Sequence, residues 1–435
     1  MKRPRVWIDL SDISTWKGHY TGIQRVVVSL SGQFAASEED VRFFVYNQRR
    51  NEFLRTQLST ITRPETDDMP APDRASSLGV RLKALMRWTY AHTPTRIQRV
   101  VPPERRRQIR AAGGKMISSL RANGRSTSLP TDGPAQFERG DIVLVLGAAW
   151  ERPGLLPSLA KLRQDHGIKL HCLIYDLIPV IQPQFFGPGL PERYTKFMFE
   201  LAANSDGIMA ISQSTSRDFG TFCTSVGIIA PPVSVIRLGD NPELQPVKSV
   251  PVVGIESESY ILAVGSFEAR KNYALLYSVW KQAALNGQIL PRLVIVGSKG
   301  WAAGDTLAAM QLDPDVAEAI TVLGGISRAR LTWLYQNAMF TIYPSTYEGW
   351  GLPIAESLAY GKPCLASNTS SMPEVGGDLV DYFNPLDPQG CLLAIKAYLE
   401  PGALAAHHER IQSEFKTTSW AATLQQVQRN LAGEE

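Results

Sequence analysis

Residues 343–373 read YPSTYEGWGLPIAESLAYGKPCLASNTSSMP, and the organisation of the chain is read outward from them. An apolar run, Ala338 to Tyr343, leads in and predicts a buried strand. Two glutamates, Glu348 and Glu356, follow with Gly349-Trp350-Gly351-Leu352-Pro353 between them. The glycines mark a turn where backbone can come close to a ligand. Pro353 suits the first turn of a helix, where its missing N–H costs nothing. Gly361 and Pro363 then predict a stop after about two turns. On this reading Glu348 lies in the loop and Glu356 in the first helical turn. The free N–H groups of Gly351 and Leu352 make an anion site in front of the helix, flanked by two carboxylates.

An anion between hydroxyl-binding carboxylates describes a nucleotide sugar. The stretch resembles the Glu-x7-Glu signature of retaining glycosyltransferases of family 4, and Ser367 to Asp387, SNTSSMPEVGGDLVDYFNPLD, extends the likeness. The resemblance is strongest over 260–390, fainter over 1–30 and 141–240, and silent over 51–140. It implies an α/β GT-B fold, two Rossmann-like doubly wound parallel-sheet domains facing a central cleft.

Periodicity alone leads to the same class. Arg5 to Leu10, Val41 to Tyr46, Asp141 to Leu146, Leu170 to Ile174, Gly207 to Ile211 and Val233 to Ile236 read as short strands separated by helical segments. After a linker, Leu238 to Ser259, the pattern restarts with Tyr260 to Val264, Leu293 to Val296, Ile320 to Leu323, Phe340 to Tyr343 and Pro363 to Ala366. The expected division is an acceptor-side domain over 1–245 and a nucleotide-sugar domain over 246–418. An Arg-, Pro- and Ser-rich insertion at about 51–140 is expected in the first, with an amphipathic helix over Val80 to Tyr90. The resemblance implies a final helix, 419–435, crossing back onto the first domain.

Composition bounds the alternatives. At 435 residues, 44% of them apolar, the chain can build two sizeable cores. Cys172, Cys223, Cys364 and Cys391 form no pair motif, which predicts a reducing compartment and no metal site. The opening MKRPRVWIDL has too short an apolar run for a signal peptide, and no stretch approaches a membrane span. A cytoplasmic protein is expected, peripheral at the inner face of the plasma membrane. Residues 81–125 hold twelve basic side chains against Glu104 alone, a local +11 that leaves −7 on the rest of a chain of net +4. Such asymmetry suggests a surface for a polyanion, here an anionic membrane. Nucleic acid is not expected, since no nucleic-acid module accompanies it.

Several residues could carry chemistry. Gly265-Ser266-Phe267-Glu268-Ala269-Arg270-Lys271-Asn272 follows a strand, where Arg270 and Lys271 could clamp a diphosphate leaving group. The resemblance assigns that job to the pair. Asp176 could orient an acceptor hydroxyl or simply cap the next turn. Tyr175 stands where the family often has a histidine near the sugar, and it is expected on the acceptor side with His19 and Arg25. His19, Gly22 and Arg25 lie in or after the first-strand loop, on the acceptor or phosphate side. His171 reads as a packed histidine. Gly297 ends a strand, and Gly325 and Ile326 lie where the family holds the nucleobase. The donor side is therefore Gly22, Gly265, Arg270, Lys271, Gly297, Gly325, Ile326, Glu348, Gly349, Trp350, Gly351, Leu352 and Glu356. The catalytic set is Glu348, Lys271, Arg270 and Asp176. Asp313-Pro314-Asp315 reads as a polar loop, and no metal or other cofactor is expected.

The reading is a retaining, metal-independent glycosyltransferase. GDP-mannose is the best guess for the donor and a glycan or polyprenyl-diphosphate-linked glycan for the acceptor, as in bacterial surface-polysaccharide synthesis. Two alternatives stay open: a glycoside hydrolase working through Glu348 and Glu356, and a catalytically silent sugar-nucleotide-binding scaffold.

Overall fold

The computed structural model describes residues 4–16, 22–37, 39–61, 131–240, 248–256, 259–298, 300–302 and 304–434. Its first sheet contains β1 (Val6–Asp9), β2 (Val41–Asn47), β3 (Glu52–Thr56), β4 (Ile142–Val145), β5 (Lys169–Ile174), β6 (Gly207–Ala210) and β7 (Val233–Val235), in the order β3-β2-β1-β4-β5-β6-β7. The second contains β8 (Tyr260–Val264), β9 (Arg292–Val296), β10 (Ile320–Leu323), β11 (Phe340–Tyr343), β12 (Cys364–Ser367) and β13 (Asp381–Phe383), in the order β10-β9-β8-β11-β12-β13. All neighbours run parallel except β3, which pairs antiparallel with β2. Helices cover these strands, so central segments such as Ile142–Val145 and Phe340–Tyr343 are buried throughout and read as unbroken apolar runs.

Both sheets reverse their order of growth beside the first strand of the half, between β1 and β4 and between β8 and β11. Ligands of open α/β sheets bind beyond the carboxyl ends of strands at such a reversal. Glu348 follows β11 and Lys271 follows β8, so topology alone brings them together.

Three expectations need correction. The supposed insertion at 51–140 begins and ends as part of the fold. Glu52–Thr56 pairs with β2, Leu54 bridges Pro134, and Phe137 packs against Trp7 and Phe44 with ring centroids 4.7 and 5.6 Å apart. Phe53 joins that aromatic cluster, a role hidden by the Arg-rich sequence beyond it. The short β13 was not expected, because its first residue is an acid and only Phe383 is fully buried. Glu356 is the fifth residue of the helix Leu352–Ala359 and so opens its second turn, not its first. The expected helix over Val80 to Tyr90 and the basic segment 81–125 lie outside the described residues.

The last helix, Trp420–Ala432, packs on the helix Ile23–Ala35 of the first half. Gln428 donates to Glu39 at 3.0 Å and Asn430 to Ser234 at 2.6 Å. Among the described residues no helix is long and apolar enough to cross a membrane.

Candidate active site

Four charges meet at the β8/β11 reversal. A 3-10 turn, Ala269–Lys271, follows β8, and Asn272 ends it in the left-handed region at φ 56°. Asparagine tolerates that conformation, and its amide here donates to the carbonyls of Pro344 and Pro385 at 3.1 and 2.9 Å. The loop is thereby pinned, and Arg270 and Lys271 turn toward the end of β11. Arg270 donates to Glu348 at 2.7 Å and to Glu268 at 2.9 Å. Lys271 stands 2.7 Å from the other Glu348 oxygen and donates to the Tyr343 hydroxyl at 2.8 Å. Glu348 is only 7% exposed and Lys271 8%. Its loop is fixed by Ser370, which accepts from the Glu348 N–H, and by Ser371, which donates to the Glu348 carbonyl.

The electrostatics follow from burial and pairing. Burial would push the Glu348 carboxyl up, but Arg270 and then Lys271 outweigh it and hold it at about 2. Burial pulls the Lys271 amine below the ordinary lysine range, with Glu348 opposing and Arg270 assisting. Arg270 keeps its charge because Glu348 and Glu268 more than offset its burial. Two cations are thus held against two carboxylates in a largely buried corner, where charges interact strongly.

Asp176 faces this cluster from the first half. Burial raises its carboxyl to about 6, against the pull of Arg270. It also accepts from the N–H of Ile178 at 2.9 Å, the capping contact, and it lines the same cavity as Arg270. Tyr175, expected on the acceptor side, turns its hydroxyl away from the cleft. That group is buried and donates to the Leu146 carbonyl at 2.7 Å, since a ring at the end of β5 packs inward.

The two halves are tied along this cleft. Arg25 pairs with Glu356 at 3.0 Å, and Tyr335 donates to the second Glu356 oxygen at 2.9 Å. Glu374 accepts from the N–H groups of Gln213 and Ser214 at 2.6 and 2.7 Å, at the start of the helix Gln213–Ser225. Tyr347 donates to Asp218 at 2.7 Å, and the Arg237 guanidinium lies 6.0 Å from the Trp350 ring centroid. At Gly349 the halves touch directly: a Cβ there would lie 1.9 Å from the carbonyl oxygen of Tyr175. The close approach that this glycine allows is between protein backbones, whereas the sequence suggested a ligand. Gly351, at φ 132°, makes the turn into the helix Leu352–Ala359, whose N-terminus carries no side-chain cap.

The other expected site residues fall at strand ends and helix starts. Gly265 and Gly297 adjoin at the ends of β8 and β9, Gly325 and Ile326 follow β10, and Gly22 precedes the helix Ile23–Ala35. His171 is buried, which lowers its pKa, and fits the packed role. Asp313 is held by Lys281 at 2.9 Å and Tyr277 at 2.7 Å. His19 lies outside the described residues. Sequence reading missed Tyr343, Asp218, Tyr347 and Glu374. It missed the pinning role of Asn272 as well, the one case with a usable signal: an asparagine directly after a basic pair at a strand end.

The fold is GT-B: two Rossmann-like α/β halves facing a cleft. A family model described as "Glycosyl transferases group 1" matches residues 249–407, the half carrying Arg270, Lys271, Glu348 and Glu356. Over 122 residues the chain is 34% identical to O-antigen chain mannosyltransferase B of Escherichia coli, covering 28% of this chain and 32% of that protein. Over 318 residues it is 22% identical to the serotype-specific mannosyltransferase WbdA of Escherichia coli, covering 69% of this chain and 38% of that one. The chain thus spans about a third of the length of these curated relatives. Among solved structures, Anabaena Alr3699/HepE in complex with UDP and glucose superposes with a TM-score of 0.60 at 13% identity, over 99% of this chain and 100% of that one.

Proposed function

We propose that this chain is a retaining glycosyltransferase that moves a sugar from a nucleotide-activated donor to a glycan acceptor. The observation that carries it is the set Arg270, Lys271 and Glu348, gathered on two strand ends at a topological reversal with Asp176 facing them. Two buried cations and an uncapped helix N-terminus suit a diphosphate. As the bond between the anomeric carbon and the phosphate oxygen breaks, charge grows on that oxygen, and Arg270 and Lys271 stabilise it. Glu348 binds hydroxyls of the sugar. Glu356 takes the donor ribose, released from Arg25 while Tyr335 keeps its second oxygen in place. The acceptor oxygen joins the anomeric carbon on the face the phosphate leaves, and its proton passes to the departing phosphate oxygen. Asp176 orients the acceptor hydroxyl, and no strong general base is needed. Basic side chains do the work that Mg²⁺ does elsewhere, so no metal is required.

Both relatives described above bear mannosyltransferase names, one of them with O-antigen chain. This supports GDP-mannose as donor and a bacterial surface polysaccharide, carried on polyprenyl diphosphate, as acceptor. The test is a panel of nucleotide sugars scored for binding and slow hydrolysis by the purified protein. Binding without turnover of any donor would favour the silent scaffold, and neither binding nor turnover with any donor would overturn the proposal. The hydrolase alternative loses support because Arg270 and Lys271 crowd Glu348, and a hydrolase has no diphosphate for such a pair of cations to bind.

Lys271→Ala should raise the Michaelis constant for donor and lower turnover together, because the ammonium touches phosphate before and during departure. Steady-state kinetics with and without EDTA check this. An unchanged variant, or an enzyme silenced by EDTA, would count against the assignment.

The basic segment 81–125 is expected to dock the enzyme on an anionic leaflet near a lipid-linked acceptor. Its charges are interleaved with Val80, Leu82, Leu85, Met86, Trp88 and Tyr90. Each basic residue contributes about 1 kcal/mol near such a surface, less in salt. Co-sedimentation with anionic vesicles should be strong at low salt and lost when 81–110 is neutralised; equal binding by the neutralised variant would refute it.

A further inference from the structure

We propose that the acceptor is a glycan chain of two or more residues, and that a groove along the helix Leu190–Asn204 holds its second residue. This rests on the transferase reading and names the substrate class of that same cleft.

Two adjoining cavities carry the argument. The inner one lies at the proposed site of transfer, walled by Trp150, Phe186 and Tyr194 and bounded by Asp176 and Arg270. Trp150 and Tyr194 are locked edge to face at 5.0 Å, and Tyr194 donates to the Asp176 carbonyl at 2.7 Å. Rigid aromatic walls beside one carboxylate suit a single sugar, which has an apolar C–H face and a hydroxyl edge.

Pro179 lines both cavities and leads outward into the second, a groove of about 590 Å³. That is the size of a small-ligand site. Its floor is apolar, with Pro179, Val180, Pro183 and Pro191. The helix sends Tyr194, Phe197, Met198 and Leu201 into the core and leaves Phe199 at the groove, 48% exposed. Glu192 and Lys196 stand along the same rim, one helical turn apart. Lys196 has only a loose 3.7 Å pairing with Glu200. An isoprenoid or acyl chain would want an apolar groove shielded from water. Here an apolar floor meets charged edges and open solvent, which matches the alternating faces of a pyranose. Pro179, which lines both cavities, fixes the direction: the reacting residue lies at Asp176 and the next one at Phe199.

The test titrates the full chain with methyl α-mannoside, an α-linked mannobioside, and decyl α-mannoside. The bioside should bind roughly five- to tenfold more tightly than the methyl glycoside, the gain expected of one added aromatic stacking contact. Phe199→Ala should erase that gain without shifting the thermal melt, since the ring is half exposed. Equal binding of methyl glycoside and bioside, a gain that survives in Phe199→Ala, or a gain from the decyl tail in place of the second sugar would each overturn the proposal. Slow hydrolysis of nucleotide sugars by the unaltered protein reports separately on the transferase reading. Its absence alongside a Phe199-dependent bioside gain would sink that reading and leave a glycan-binding groove.

Discussion

Glu348→Gln is expected to slow transfer about 10²- to 10³-fold while the chain remains folded. Glutamine keeps the shape and one acceptor oxygen, but it loses the charge that positions Arg270 and Lys271, each 2.7 Å away. A single preorganised contact of this kind commonly contributes about 2.7–4 kcal/mol to the transition state. Glu348→Ala should lose the same activity and also lose stability. It leaves Lys271 buried without its carboxylate, whereas Arg270 retains Glu268 at 2.9 Å. Breaking a buried pair by removing one partner costs about 3–5 kcal/mol, and the surviving Glu268 contact places this case toward the lower end. The pH dependence has a definite sign. Glu348 is depressed to about 2, so its stabilisation is complete above the unfolded carboxyl value and fades as pH falls toward 2. Denaturant titrations of the parent and Glu348→Gln should therefore converge as the medium is acidified through that window. Transfer by Glu348→Gln within a few-fold of the parent would remove Glu348 from the site.

The sequence made the second half easier to read than the first, and the reason is physical. Around Glu348 the signals are local: an apolar strand, two glycines, a proline in a first helical turn, and a stop at Gly361. Each constrains backbone within a few residues, so the loop and helix emerge where periodicity placed them. The cluster itself joins residues far apart, yet strand order brings Lys271 to Glu348, and strand order can be inferred from alternating α/β segments. What could not be read was anything depending on how the halves meet. Glu374 looks like an ordinary first-turn acid of the short helix Met372–Gly376, and only the assembled cleft sets it on the N-terminus of the helix Gln213–Ser225. Tyr347 and Asp218 carry no pattern in common. Arg25 reads as a phosphate or acceptor contact, and its pairing with Glu356 across the cleft has no sequence signal. Tyr175 stands at a family position that says nothing of where its hydroxyl goes; its size and its place at the buried end of β5 direct that group to Leu146.

Gly349→Ala is expected to reduce transfer about 100-fold while sparing nucleotide binding. The added methyl would begin 1.9 Å from the Tyr175 carbonyl oxygen and 2.9 Å from the Asp176 Cβ. Neither neighbour can yield cheaply. The Tyr175 carbonyl accepts from Thr215 at 3.1 Å, and Asp176 is fixed by the Ile178 N–H. The methyl and the carbonyl must therefore draw apart by about 1 Å, which moves one half relative to the other at the site where Asp176 faces Arg270. Misplacement on that scale can cost 10²-fold when a reaction depends on groups from both sides. Arg270, Lys271, Glu348 and Glu356 all come from one half, so affinity for nucleoside diphosphate should stay within a few-fold. A titration with nucleoside diphosphate, the transfer rate and small-angle scattering separate the cases. The expected variant binds nucleotide, transfers poorly and scatters as a slightly more open particle. If Gly349 served only to admit a ligand, alanine would weaken nucleotide binding and leave the scattering unchanged. Transfer at the parental rate would show that the seam between the halves tolerates displacement, and that Asp176 does not need its present position.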